Sequence, residues 1–280
     1  MTVTPIPAFE DNYIWCLTSA GTDYAVVVDP GDDDSVRDYL REKGLKLAAI
    51  LVTHKHGDHT GGIRELLADW PGIPVYGPAN EPIGSLTQRV SEGDRIHIPE
   101  IEATFEVLDV PGHTEGHVAY LCGDRLFCGD TLFAAGCGRV FSGTHAQLHA
   151  SLSKIAALPP RTRLYCAHEY TLDNLAFAEW VEPDSEAIRQ RIERDRASRL
   201  RNEPTVPSLL SEELETNPFL RSNVPQVIAA AERHAGRPLD RTEEVFTAIR
   251  TCCRCPSWPS SAVAARRPGV GAMHMNSPPI

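Results

Sequence analysis

Short apolar runs separated by Gly, Pro and Asp punctuate the first half of the chain, and their length and β-branched content predict strands. Runs at 3–6, 14–18, 24–28, 47–52 and 75–77 form one series; 96–98, 105–110, 118–122 and 125–128 form a second. Helical spacing of apolar positions falls between strands at 35–43 and 63–70, with Ser35 and Thr60 as candidate N-caps. Asp29-Pro30-Gly31 reads as a turn leaving a strand buried on both faces. Strands interleaved with helices predict an α/β fold in which sheets are covered by helices.

Beyond Phe141 the pattern changes. Helical stretches at 145–157 and 172–181 flank a last strand at 163–167, and from Pro183 onward only helices are expected. These are the charged stretch 185–202, a break at Pro204-Thr205-Val206-Pro207, and then 224–235 and 241–250. The expected organisation is an α/β domain over 1–172, a small all-helical domain over 173–250 and an atypical tail over 251–280. That tail has no Asp or Glu, holds three of the eight cysteines and five prolines, and shows no period, so disorder is expected. It is either a natural extension or the product of a shifted reading frame. No internal repeat is visible.

Composition narrows the function. At 280 residues, 42% hydrophobic and 23% charged, the chain is an ordinary globular protein. A net charge of -11 and the lack of a Lys/Arg stripe argue against nucleic acid. No run approaches the ~18 apolar residues of a membrane span, and no signal segment opens the chain. Cys16, Cys122, Cys128, Cys137 and Cys166 stand singly among apolar or Gly-rich neighbours, which predicts reduced thiols and a cytoplasmic protein. Cys252, Cys253 and Cys255 lack a second His/Cys cluster that would complete a structural zinc site.

The chemistry concentrates where the run 47–52 meets a Gly-rich turn. His54, His56, Asp58 and His59 form an H-x-H-x-D-H signature, four possible metal ligands within six residues. Two ions need more donors, and three candidates stand where strands end: His113 in Val110-Pro111-Gly112-His113-Thr114, Asp130 in Cys128-Gly129-Asp130-Thr131, and His168 in Tyr165-Cys166-Ala167-His168-Glu169. One such residue alone would be an ordinary satisfied polar group; the repetition of the setting points to metal. His117 is the rival histidine, placed behind the ligands with Asp29 as an orienting residue.

Together these residues resemble the metallo-β-lactamase superfamily and, within it, glyoxalase II, the hydroxyacylglutathione hydrolases. The resemblance runs over about residues 1–250, through Ile6-Pro7-Ala8-Phe9-Glu10-Asp11-Asn12-Tyr13, Gly129-Asp130-Thr131-Leu132-Phe133, Gly136-Cys137-Gly138-Arg139, His168-Glu169-Tyr170-Thr171 and Asn217-Pro218-Phe219-Leu220-Arg221. It implies an αββα sandwich with a helical C-terminal domain. It also implies two divalent metal ions, one on His54, His56 and His113, the other on Asp58, His59 and His168, with Asp130 bridging. Zinc is the default ion for this donor set, with iron or manganese as alternatives. The implied reaction is attack of a metal-bridging hydroxide on the thioester of S-D-lactoylglutathione, releasing glutathione and D-lactate, the second step of methylglyoxal detoxification. Asp58 would be a ligand first and a proton acceptor second.

The same resemblance implies substrate binding by Arg139, Tyr170 and Arg250. The family's Lys three residues after the last of these is replaced by Cys253, and Phe141 stands where some members have a tyrosine. Intact metal and thioester chemistry with weakened affinity for the glutathionyl part is therefore expected. Two other readings are a persulfide dioxygenase with a single iron, and a metal-binding relative that has lost catalysis. The expected protein acts as a monomer, without nucleic acid or membrane.

Overall fold

The computed structural model describes residues 1–252; the tail from Cys253 onward, with its expected disorder, lies outside the described residues. One six-stranded sheet runs β1 (Thr2–Ala8), β2 (Asn12–Thr18), β3 (Tyr24–Val28), β4 (Lys46–Leu51), β5 (Val75–Pro78) and β6 (Gln88–Val90) in spatial order. Its first three strands are antiparallel neighbours and the rest pair in parallel. The second sheet comprises β7 (Arg95–Ile98), β8 (Ala103–Asp109), β9 (Val118–Cys122), β10 (Arg125–Gly129), β13 (Arg163–Cys166) and β14 (Ser208–Leu209). Between β10 and β13 in sequence lies a separate hairpin, β11 (Leu132–Phe133) with β12 (Gly136–Cys137).

Side-chain alternation along the strands divides the apolar residues between two cores. On β2, Tyr13, Trp15 and Leu17 face the second sheet's Phe105, Val107, Tyr120 and Phe127. Ile14 and Cys16, between them, join Val36 and Leu40 of α1 (Asp33–Lys43) and Ile63 and Leu66 of α3 (Ile63–Asp69) on the outer face. A one-turn helix α2 (Gly57–Thr60) separates β4 from α3. The inter-sheet core continues into α4 (His145–Ala156) and the C-terminal helices through Leu148, Leu152, Phe177, Phe246 and Ile249. These helices are α5 (Thr171–Val181), α6 (Glu186–Leu200), α7 (Leu210–Thr216), α8 (Pro225–Ala235) and α9 (Thr242–Cys252). The result is the αββα sandwich with appended helices that the resemblance implied.

Several local expectations are corrected. The N-cap of α1 is Asp32, whose carboxylate accepts from Ser35 N, so Ser35 sits one turn inside. Thr60 ends α2 and donates to His56 O; the cap of α3 is Gly62. The region beyond Pro183 is not purely helical, because Ser208 and Leu209 pair with β13. A strand of two residues carries no period to detect, nor do β11 and β12.

Candidate metal centre

The site is built at the ends of strands. β4 delivers Thr53 and His54, β10 delivers Asp130, β13 delivers His168, and the loop between β8 and β9 supplies His113. The Asp29-Pro30-Gly31 turn packs under the histidine loop so closely that a Cβ on Gly31 would lie 1.9 Å from Asp58 O. Asp29 accepts from Thr53 N at 2.7 Å and from Thr53 Oγ1 at 2.7 Å, locking the exit of β4. Gly129 turns at φ 48°, where its missing side chain leaves room for Thr53 Oγ1 and His117.

All seven predicted donors come together. Donor atoms of His54, His56, His113 and Asp130 form one group, those of Asp58, His59 and His168 a second, each with its atoms within 4.8 Å of one another. Asp130 faces both: Oδ2 lies 3.4 Å from His113 Nε2, while Oδ1 lies 3.4 Å from His168 Nε2 and 3.5 Å from His59 Nε2. Asp58 Oδ2 is 3.4 Å from His168 Nε2 and 3.5 Å from His59 Nε2. Bonds of 2.0–2.2 Å to a tetrahedral ion set ligand-to-ligand edges of about 3.3–3.6 Å, and these five separations fall in that window.

Hydrogen bonds fix which ring nitrogen each histidine offers. Thr53 Oγ1 donates its one proton to Asp29, so at 3.1 Å it must accept from His54 Nδ1–H, leaving the His54 Nε2 lone pair free. His113 Nδ1 donates to Arg139 O at 2.8 Å and His168 Nδ1 to Asp11 Oδ1 at 2.8 Å, with the same consequence. The free His54 Nε2 and His113 Nε2 lie 2.9 Å and 3.0 Å from His56 Nδ1, three nitrogens with at most one proton among them. His59 Nδ1 is 3.0 Å from Asp29 Oδ2 but poorly aligned for a hydrogen bond, and buried His59 Nε2 and Asp130 Oδ1 have no hydrogen-bond partner. Converging lone pairs and orphaned buried acceptors are what a divalent cation satisfies.

Electrostatics divides the groups. Burial, reinforced by neighbouring imidazoles, pushes His54 far below its ordinary range, and burial lowers His113 to about 4, so both are neutral ligands at neutral pH. In the second group burial also disfavours the charged rings, but carboxylates win: the Asp130 and Asp58 carboxylates beside it raise His168 to about 10, and Asp130 and Asp29 raise His59.

His117 is settled by the same accounting. Its Nε2 accepts from Asp130 N at 3.2 Å, so Nδ1–H donates to Thr131 Oγ1 at 3.3 Å, and no lone pair is left for metal. Sequence reasoning assigned no role to Asn12, which donates to Asp58 Oδ2 at 3.1 Å, to Asp11, or to Glu81. Glu81 is buried and accepts from Lys55 N at 3.1 Å and Gly116 N at 2.9 Å, tying the two histidine loops together. Asp11 stands 157 residues from His168, and no spacing could have announced that pair.

The expected substrate residues lie around this centre in different settings. The Tyr170 ring stacks on His168 at 4.7 Å and 6°. Arg139 is exposed, close enough to influence the Tyr170 hydroxyl electrostatically, and its guanidinium pairs with no described residue. Phe141, exposed, sets its ring edge-on to His56 and His113. Arg250 is buried, donates to Gly138 O at 2.9 Å and lies over Phe219, so it turns toward the protein. Cys253, where the family's Lys was expected, lies outside the described residues.

Comparison with known proteins agrees with this geometry. The family described as the metallo-beta-lactamase superfamily matches residues 12–168, and the hydroxyacylglutathione hydrolase C-terminus matches residues 169–252. A hydroxyacylglutathione hydrolase of Alkalilimnicola ehrlichii is 53% identical over 248 residues, covering 89% of this chain and 96% of that protein. One of Halorhodospira halophila is 50% identical over 246 residues, covering 88% and 96%. Among solved structures, ETHE1 from Myxococcus xanthus shares the fold with a TM-score of 0.64 and 24% identity, over 92% of this chain and 93% of that one. The chain belongs to the metallo-beta-lactamase superfamily and, within it, to the hydroxyacylglutathione hydrolase family.

Proposed function

We propose that the protein hydrolyses S-(2-hydroxyacyl)glutathione, S-D-lactoylglutathione in particular, to glutathione and the 2-hydroxy acid. The observation that carries this reading is Asp130, whose two oxygens face two separate nitrogen groups and so suit a carboxylate shared by two cations. His54, His56 and His113 would hold one ion, Asp58, His59 and His168 the other, and Asp130 both. Zinc suits the N/O donor set. Two such ions would supply a bound water with its pKa lowered toward about 7 and a Lewis acid for the thioester carbonyl.

The chain's own residues do the rest. Thr53, Arg139 O and Asp11 hold three imidazoles in the tautomer that presents Nε2. Asp58, the most exposed of the carboxylate donors and anchored by Asn12, is placed to take up the proton of the attacking water. The unpaired Arg139 guanidinium offers a planar fork to a substrate carboxylate, and the Tyr170 hydroxyl a second contact. Arg250 supports that wall through Gly138 O, immediately before Arg139. The thiolate departs without a strong general acid, since glutathione is a good leaving group. Residues 1–172 are the catalytic domain and 173–250 the substrate-binding helical domain.

All seven donors come from one chain, so a monomer suffices. Burial pushes the Cys16 and Cys166 thiols up to about 12, inert behaviour suited to the cytoplasm. No described helix is long and apolar enough to cross a membrane. The test is steady-state cleavage of S-D-lactoylglutathione beside oxygen uptake with glutathione persulfide. Thioester cleavage without oxygen uptake is expected; the reverse would replace this reading with a dioxygenase.

A further inference from the structure

The hairpin formed by β11 and β12 is too short to hold itself, yet both ends of it lead into the metal centre. Asp130 lies just before it; just after it come Gly138 and Arg139, and the Arg139 carbonyl accepts from His113 Nδ1 at 2.8 Å. Gly138 packs so tightly there that a Cβ would lie 2.0 Å from Asp130 O and 3.2 Å from His113 Nδ1. Any shift of this strand pair therefore moves the shared carboxylate and the orienting partner of His113 together.

Most of the hydrogen bonds that hold the hairpin from outside come from the C-terminal helices, beside Cys128 Sγ, which donates to Leu132 O at 3.3 Å. Asn217, fully buried at the end of α7, donates through Nδ2 to Gly136 O at 2.9 Å and reaches Phe133 O at 3.3 Å. Glu213, also fully buried, accepts from Ala135 N at 2.7 Å and from Asn217 Nδ2 at 3.0 Å. Ala135 has φ 54°, a left-handed conformation that a non-glycine residue keeps only when its surroundings enforce it. Asn174 of α5 donates to Ala134 O at 3.0 Å, and Arg250 of α9 donates to Gly138 O at 2.9 Å. The Glu213 carboxylate is itself paired in the interior: Arg191 of α6 donates to Oε1 at 2.6 Å and to Thr216 Oγ1 at 2.5 Å. A buried ion pair is weak evidence for stability but holds one geometry.

We propose that Asn217 and Glu213 are positioning residues for the metal centre, so that the helical region sets metal affinity as well as receiving substrate. The inference rests on the two-metal reading above. The distinction from a merely structural role is that the clamp acts on Asp130 and His113 through backbone, and so its loss must show in metal binding beyond any loss of fold stability.

The test compares Asn217→Ala with Val227→Ala, a buried truncation in α8 away from the hairpin. Zinc affinity is measured by chelator competition, thermal unfolding of the metal-free proteins is recorded in parallel, and kcat and KM are measured on zinc-saturated protein. Asn217→Ala is expected to weaken zinc binding roughly 10-fold, the lower end for an outer-sphere partner, with the loss in kcat rather than KM. Val227→Ala should lower the unfolding temperature without weakening zinc. Equal zinc affinity in Asn217→Ala and wild type, or an equal weakening by both variants, would overturn the clamp while leaving the metal reading intact. Wild-type protein that binds no zinc would instead end the metal reading, and this inference with it.

Discussion

Asp130 has contacts on every side: its oxygens face two nitrogen groups, its backbone N–H is held by His117, and its carbonyl lies against Gly138. Asp130→Asn replaces one acceptor oxygen by a donor and should leave at least one group without its shared ligand. About one metal ion fewer per chain and a loss of at least ~100-fold in kcat/KM are expected, read by metal analysis and thioester cleavage. Glu81 acts at the same scale without touching a metal group. Glu81→Ala strands two part-buried N–H groups, Lys55 N and Gly116 N, and should cost about 1–3 kcal/mol in urea unfolding of the metal-free protein. Neither Glu81 nor Asp11 was legible in the sequence, because a carboxylate that serves a distant backbone or ring leaves no local pattern. The seven candidate donors were legible for two reasons: His54, Asp130 and His168 stand within two residues of an apolar run that ends and His113 within three, while His56, Asp58 and His59 belong to the H-x-H-x-D-H signature.

Elements explain why that rule works. β4, β10 and β13 are buried strands whose backbones cannot turn without small residues, so the side chains immediately beyond them project at one edge of the sandwich. Long runs were therefore placed well: 24–28 and 118–122 match β3 and β9 residue for residue. β6, three residues with no apolar run, was missed; the other failures fall on β11, β12 and β14, two residues each, and on α7, seven residues whose acidic surface hides a single buried seam. These are the pieces that bind the helical region to the centre. Arg139, on the loop leaving β12, tests the substrate wall. Arg139→Ala should raise KM for lactoylglutathione about 10-fold and leave kcat within about twofold, the sign of binding equal in ground and transition states.

For the whole molecule, the two donor groups differ in proton content before metal arrives. Carboxylates raise His168 to about 10 and raise His59, whereas burial lowers His54 and His113. Loading the second group is expected to displace more protons than loading the first. Calorimetric zinc titrations in buffers of different ionisation enthalpy should show more proton release with one ion than with the other. The sign for stability follows from linkage. A His168 pKa raised from 6.5 to about 10 stabilises the metal-free fold fully below pH 6.5, and that contribution is lost as pH rises to about 10. His113, depressed to about 4, acts oppositely: its contribution is present above pH 6.5 and fades as pH falls toward 4.

The central claim, a two-metal thioester hydrolase, is tested most directly by titrating metal-free protein with zinc while following S-D-lactoylglutathione cleavage. Activity absent in chelator, rising to a plateau at two ions per chain, is the predicted result. Cleavage that persists in the metal-free protein, or a fully loaded protein that leaves the thioester intact, would contradict it.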